Sequence, residues 1–154
     1  MNKIYIHIIM LIVINTSSKV YPHCQVPCGI YDDKSRVLSI YEDLKTINKS
    51  MVEITSLSKN SDSLSGNQMI RWVTTKEEHA KSIQETVSEY FMAQRIKEKD
   101  KNYNDKLMVL HKILKLAMKC KQGLDFESVN NCEKVLLNFC ELYFKQDDFN
   151  EIKS

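Results

Sequence analysis

Residues 33–57 read DKSRVLSIYEDLKTINKSMVEITSL, a run of 25 residues without glycine or proline. Its apolar positions, Val37, Leu38, Ile40, Tyr41, Leu44, Ile47, Met51 and Ile54, fall mostly three and four apart. That spacing predicts a helix with one face laid on a core. Three more stretches downstream carry the pattern. Asn67–Ile96 presents Met69, Val73, Ala80, Ile83, Val87, Tyr90 and Phe91, and Asp105–Lys121 presents Leu107, Leu110, His111, Leu114, Ala117 and Met118. Ser128–Lys145 presents Val129, Cys132, Leu136, Phe139, Cys140 and Tyr143. The segment 58–66, rich in Ser, Asn, Asp and Gly, and the polar stretch 97–104 read as connections, with Gly123 as a helix stop. Four helices with short connections predict an all-α, up-and-down four-helix bundle over residues 32–146, with a frayed polar tail at 147–154.

Composition agrees with this fold class. A chain of 154 residues suits one domain with its own core, and 3 Gly and 2 Pro argue against a turn-rich sandwich or barrel. The net charge is +2, from 22 basic and 20 acidic residues, so nucleic acid and an anionic membrane are excluded as the main partner. Basic residues gather between Arg95 and Lys106 but alternate with acidic ones, which predicts a solvated connection.

Upstream of the first helix the pattern changes. Lys3 precedes an apolar run from Ile4 to Ile14, followed by Asn15-Thr16-Ser17-Ser18. This is the layout of a secretory signal, and the run is shorter than the roughly 20 residues a spanning helix needs. Residues 1–18 are therefore expected to be a leader absent from the mature fold. Export, to a periplasm or through the endoplasmic reticulum or into an organelle, follows if the leader is a signal, and a cytoplasmic location if it is not.

Between leader and helix lies His23-Cys24-Gln25-Val26-Pro27-Cys28-Gly29-Ile30-Tyr31-Asp32. Two thiols, an imidazole and a phenol fall within nine residues, and the proline and glycine prevent a helix or strand interior. Soft thiolates beside an imidazole make a metal or redox hook. If His23 becomes the first residue, its free amine, the Cys24 amide nitrogen and the Cys24 sulfur can close fused chelate rings, and Cys28 completes a square plane. Such a donor set suits a d8 ion such as Ni(II), whereas zinc prefers a tetrahedron.

This stretch resembles the nickel superoxide dismutase family, whose mature N-terminus carries His-Cys-x-x-Pro-Cys-Gly-x-Tyr-Asp. Asn67-Gln68-Met69-Ile70-Arg71-Trp72, Lys76-Glu77-Glu78-His79-Ala80 and Ser88-Glu89-Tyr90-Phe91 extend the resemblance, which covers His23 to about Phe144. The resemblance implies nickel held by His23, Cys24 and Cys28, with the His23 imidazole as axial ligand in the oxidised state. It implies dismutation of superoxide to oxygen and peroxide through a Ni(II)/Ni(III) cycle, with Tyr31 beside the open metal face and Tyr90 matching a family tyrosine near the site, a position that core packing alone would also explain. It further implies a homo-oligomer, typically of six subunits. A non-catalytic nickel- or copper-binding or thiol-redox helical module is the alternative, and a secreted helical ligand would leave the hook unexplained.

Two departures stand out. Gln25 replaces an acidic residue of the better-known bacterial members, and His79 falls where they carry an arginine that supports the axial imidazole. Their supporting glutamate would fall near Leu38 and Ser39. Maturation is a further requirement: signal cleavage after Ser17 or Ser18 leaves Lys19-Val20-Tyr21-Pro22 as a remnant blocking the His23 amine, so a maturation protease must cut after Pro22. No membrane association is expected after processing. Asp32 and Asp33 stand where acidic residues cap the next helix. Cys120, Cys132 and Cys140 do not repeat the hook's spacing. Cys132 and Cys140 read as small core residues, and sequence alone assigns no disulfide. His111 reads as a core or boundary residue.

Overall fold

The computed structural model describes residues 32–153. The leader, the remnant, and the hook residues His23, Cys24, Cys28 and Tyr31 lie outside the described residues. Among those described, the chain is all-helical: α1 (Asp33–Leu57), α2 (Ser63–Glu85), α3 (Tyr103–Gln122), α4 (Phe126–Tyr143) and α5 (Gln146–Lys153). From Thr86 to Arg95, α2 continues without a break as a π-helical segment. The four long helices pack in a cycle, α1 on α2, α2 on α3, α3 on α4 and α4 back on α1.

The core is the sum of the inward stripes. Val37, Ile40, Ile47 and Met51 of α1 meet Ala80, Ile83, Val87 and Phe91, together with Leu110 and Ile113 of α3 and Leu136 and Phe139 of α4. Each of these is essentially inaccessible to water, and burial of a large apolar side chain contributes roughly 1.5–3 kcal/mol. Phe91, Phe139 and Tyr143 form an aromatic cluster at one end, with ring centroids 5.0–5.7 Å apart.

Several expectations are corrected. The second helix starts at Ser63, not Asn67, because Asp62 caps it: its carboxylate accepts from the Ser65 amide at 3.0 Å and the Ser65 hydroxyl at 2.6 Å. Leu38 and Val73, placed on inner faces by spacing, are 40% and 39% exposed. Lys76 takes an inward position on α2 instead, donating to the carbonyls of Cys120 at 2.7 Å and Lys121 at 2.5 Å. The lysine thereby satisfies the last turn of α3, whose carbonyls have no partner within the helix. His111 is exposed, and the tail expected to fray forms α5, whose Phe149 and Ile152 pack on the core. Lys34 of α1 pairs with Glu151 of α5.

Candidate metal centre and its supports

The described chain begins at the point where the hook joins the helices. Asp32 is the N-cap of α1, in extended conformation, and accepts from the Lys34 amide at 3.1 Å. Capping is thus complete without Asp33, whose carboxylate turns elsewhere. The Tyr90 hydroxyl donates to Asp33 Oδ1 at 2.5 Å and the Tyr143 hydroxyl to Oδ2 at 2.7 Å. Arg95 Nε stands 2.9 Å from Oδ1, and Arg95 Nη2 donates to the Tyr90 oxygen at 2.8 Å. Three segments distant in sequence therefore converge on the first residue of α1.

The π-helical register explains the convergence. In an α-helix, residues five apart point about 140° away from each other. In the π segment they align, as Ile96 N–H to Phe91 O at 3.0 Å and Gln94 Nε2 to Glu89 O at 2.8 Å both record. Tyr90 and Arg95 share that spacing and so reach the same carboxylate. The guanidinium also sits over the phenol, with Arg95 Cζ 4.9 Å from the Tyr90 ring centroid and Arg36 Cζ 5.4 Å away. Burial, and then the Asp33 carboxylate, raise the Tyr90 pKa, which keeps the phenol protonated. Arg95, read from sequence as part of a solvated connection, is thus part of a network. At the other end of that connection, Lys106 is also turned inward, 5.5 Å from the Tyr143 ring centroid.

A second polar pair joins α1 to α2. His79 Nδ1 is 2.6 Å from Asp43 Oδ1, and the Asp43 side chain is 9% exposed against 37% for His79. Asp43 Oδ2 is buried without a hydrogen-bond partner among the described residues. A carboxylate on Nδ1 fixes the ring orientation and leaves Nε2 as the outward-facing nitrogen. No carboxylate occurs at Leu38 or Ser39, but Asp43 lies one helical turn beyond Ser39.

Cys120, Cys132 and Cys140 are free, buried thiols. Burial pushes them up to about 11, 12 and 12, so they stay protonated at neutral pH and act as small apolar residues. Among the described residues no three His, Cys, Asp or Glu side chains are grouped to hold a metal, and no helix is long and apolar enough to cross a membrane. Tyr90 and His79 are thus placed in two separate polar clusters, while His23, Cys24, Cys28 and Tyr31 lie beyond the described region. Sequence reading missed Arg95, Asp43, Tyr143 and Asp33 as polar partners. Their pairings join residues 36 to 110 positions apart, and the five-residue Tyr90–Arg95 spacing counts against an α-helical pairing.

The family model of nickel-containing superoxide dismutases matches residues 18–147. No curated protein and no solved structure matches the chain.

Proposed function

Because the chain belongs to the family of nickel-containing superoxide dismutases, we propose that it disproportionates superoxide, two superoxide ions and two protons giving one oxygen and one hydrogen peroxide. The observation that carries this reading is the family match, whose residues 18–147 include the segment His23 to Asp32, where His23, Cys24 and Cys28 stand in the sequence. The donor chemistry fits nickel: two thiolates, an amine, a backbone amide nitrogen and an imidazole are the strong donors that bring a higher oxidation state within reach. His23, Cys24 and Cys28 would hold the ion, which when bound supplies the one-electron couple that both oxidises and reduces superoxide.

The protein's residues do the rest. In this reading Pro27, with no amide hydrogen and a fixed φ, and Gly29, with backbone freedom, would favour a tight turn bringing Cys28 back toward Cys24. Tyr31 orders water and small anions at the open face. Tyr90 donates a hydrogen bond to Asp33 and accepts one from Arg95, so it holds a fixed position as a neutral phenol. In this reading the His79–Asp43 pair takes the role that arginine and glutamate fill in the better-known bacterial members, with Asp43 holding the orientation of the His79 ring through Nδ1. The cyclic packing of α1 to α4 supports the up-and-down bundle as the scaffold. In this reading the mature chain starts at His23 after export and proteolysis and assembles as a homohexamer.

Replacement of either thiol tests the reading. Cys24→Ser and Cys28→Ser should each abolish stoichiometric nickel binding and superoxide clearance while the helical circular-dichroism signal and melting temperature stay at parental values, because the core of the described residues is complete from Val37 onward. Retention of full activity by either variant would refute the assignment.

A further inference from the structure

We propose that Asp33 is a positioning residue for the hook, fixing the root from which the segment His23–Tyr31 departs onto Tyr90 of the π-helical segment and Tyr143 of α4. The proposal rests on the nickel reading above. Three observations carry it. Asp32 already caps α1, so the helix has no need of a second side-chain cap. Both Asp33 oxygens are nevertheless engaged, by two hydroxyls and a guanidinium that come from residues 57, 62 and 110 positions away. And the ten-residue π register brings Tyr90 and Arg95 onto one carboxylate.

The geometric consequence follows from chain reach. Cys28 is five residues before Asp33, and each residue spans at most about 3.6 Å. The thiol-bearing backbone is therefore tethered within about 18 Å of a point held by three elements. Loss of one hydroxyl leaves the carboxylate with two donors, whereas loss of the carboxylate's charge removes the Arg95 attraction and weakens both tyrosine contacts. The effect of Asp33→Asn should accordingly exceed that of Tyr143→Phe.

Full-length variants carried through native processing are titrated with nickel against a competing chelator, the complex being read by thiolate-to-metal absorption. Asp33→Asn should weaken nickel binding at least tenfold and Tyr143→Phe about threefold. Glu151→Gln, which breaks the Lys34–Glu151 pair at the same corner, should stay within twofold of the parent. A metal-independent readout accompanies it: amide exchange of Arg36 to Ile40 in the apo protein should accelerate at least fivefold in Asp33→Asn. Parental nickel affinity in Asp33→Asn, or equal weakening in Glu151→Gln, overturns the proposal. If the parent protein takes up no nickel, the nickel reading fails, and unchanged exchange in Asp33→Asn then overturns the anchoring of α1 as well.

Discussion

His79→Leu removes the sole described donor to a buried carboxylate, and the cost can be worked from the structure. Asp43 is 6% exposed as a residue, one of its oxygens has no partner among the described residues, and the other is held at 2.6 Å by His79 Nδ1. Breaking a fully buried pair costs about 3–5 kcal/mol because a charge is left uncompensated. Here the imidazole is partly open to water, so about 3 kcal/mol, the low end, is expected. Asp43→Leu leaves instead a half-exposed imidazole that water can satisfy, and should cost under about 1 kcal/mol. The double variant should recover to within about 1 kcal/mol of the parent, since replacing both partners by apolar groups is close to neutral. Urea unfolding at pH 7 with a common m-value gives the three free energies. A cost under about 1 kcal/mol for His79→Leu, or no recovery in the double variant, would refute the view that Asp43 is a buried charge held by His79.

Lys76→Met should destabilise by about 2–3 kcal/mol in the same assay, because two carbonyls at the end of α3 lose a charged donor. The Lys76→Met effect on nickel affinity should be under twofold. Alkaline pH should weaken the fold through the three thiols. Their folded pKa values are raised above the unfolded value near 9, so the contribution is complete below pH 9 and declines as pH rises toward 11–12. Each thiol contributes a slope of at most about 1.4 kcal/mol per pH unit in that window. Urea unfolding at pH 8, 9 and 10 should show the decline, and Cys132→Ala should reduce its slope by about a third; a flat profile would contradict burial of the thiols.

The parts of the fold that were legible in sequence share one property, an uninterrupted apolar period. The range expected for α1, Asp33 to Leu57, coincides with the observed helix because nothing within it breaks the stripe. The start of α2 was hidden by composition: Ser63-Leu64-Ser65-Gly66 looks like loop until Asp62, three residues before Ser65, is recognised as its cap. The π register was hidden because a 3.6-residue period describes the buried Val87, Tyr90 and Phe91 equally well. Lys76 escaped because hydropathy cannot flag a charged side chain that turns inward to bind carbonyls. In α5, the spacing of Phe149 and Ile152 was the overlooked signal. The family was legible in the residue types and spacing of His23 to Asp32, which the family match over residues 18–147 includes, because a fixed order of donor residues is a local feature that needs no tertiary structure to be seen. The polar clusters were the hardest to foresee, since Asp43 with His79, and Asp33 with Tyr90 and Tyr143, meet only after the helices pack.

Superoxide clearance by nickel-reconstituted protein beginning at His23, measured beside nickel-treated protein beginning at Met1, addresses the enzymatic reading most directly. The processed form should turn over superoxide catalytically and the unprocessed form should not, because only the former offers the His23 amine. Inactivity of the nickel-loaded processed form, or equal activity in both, would contradict it.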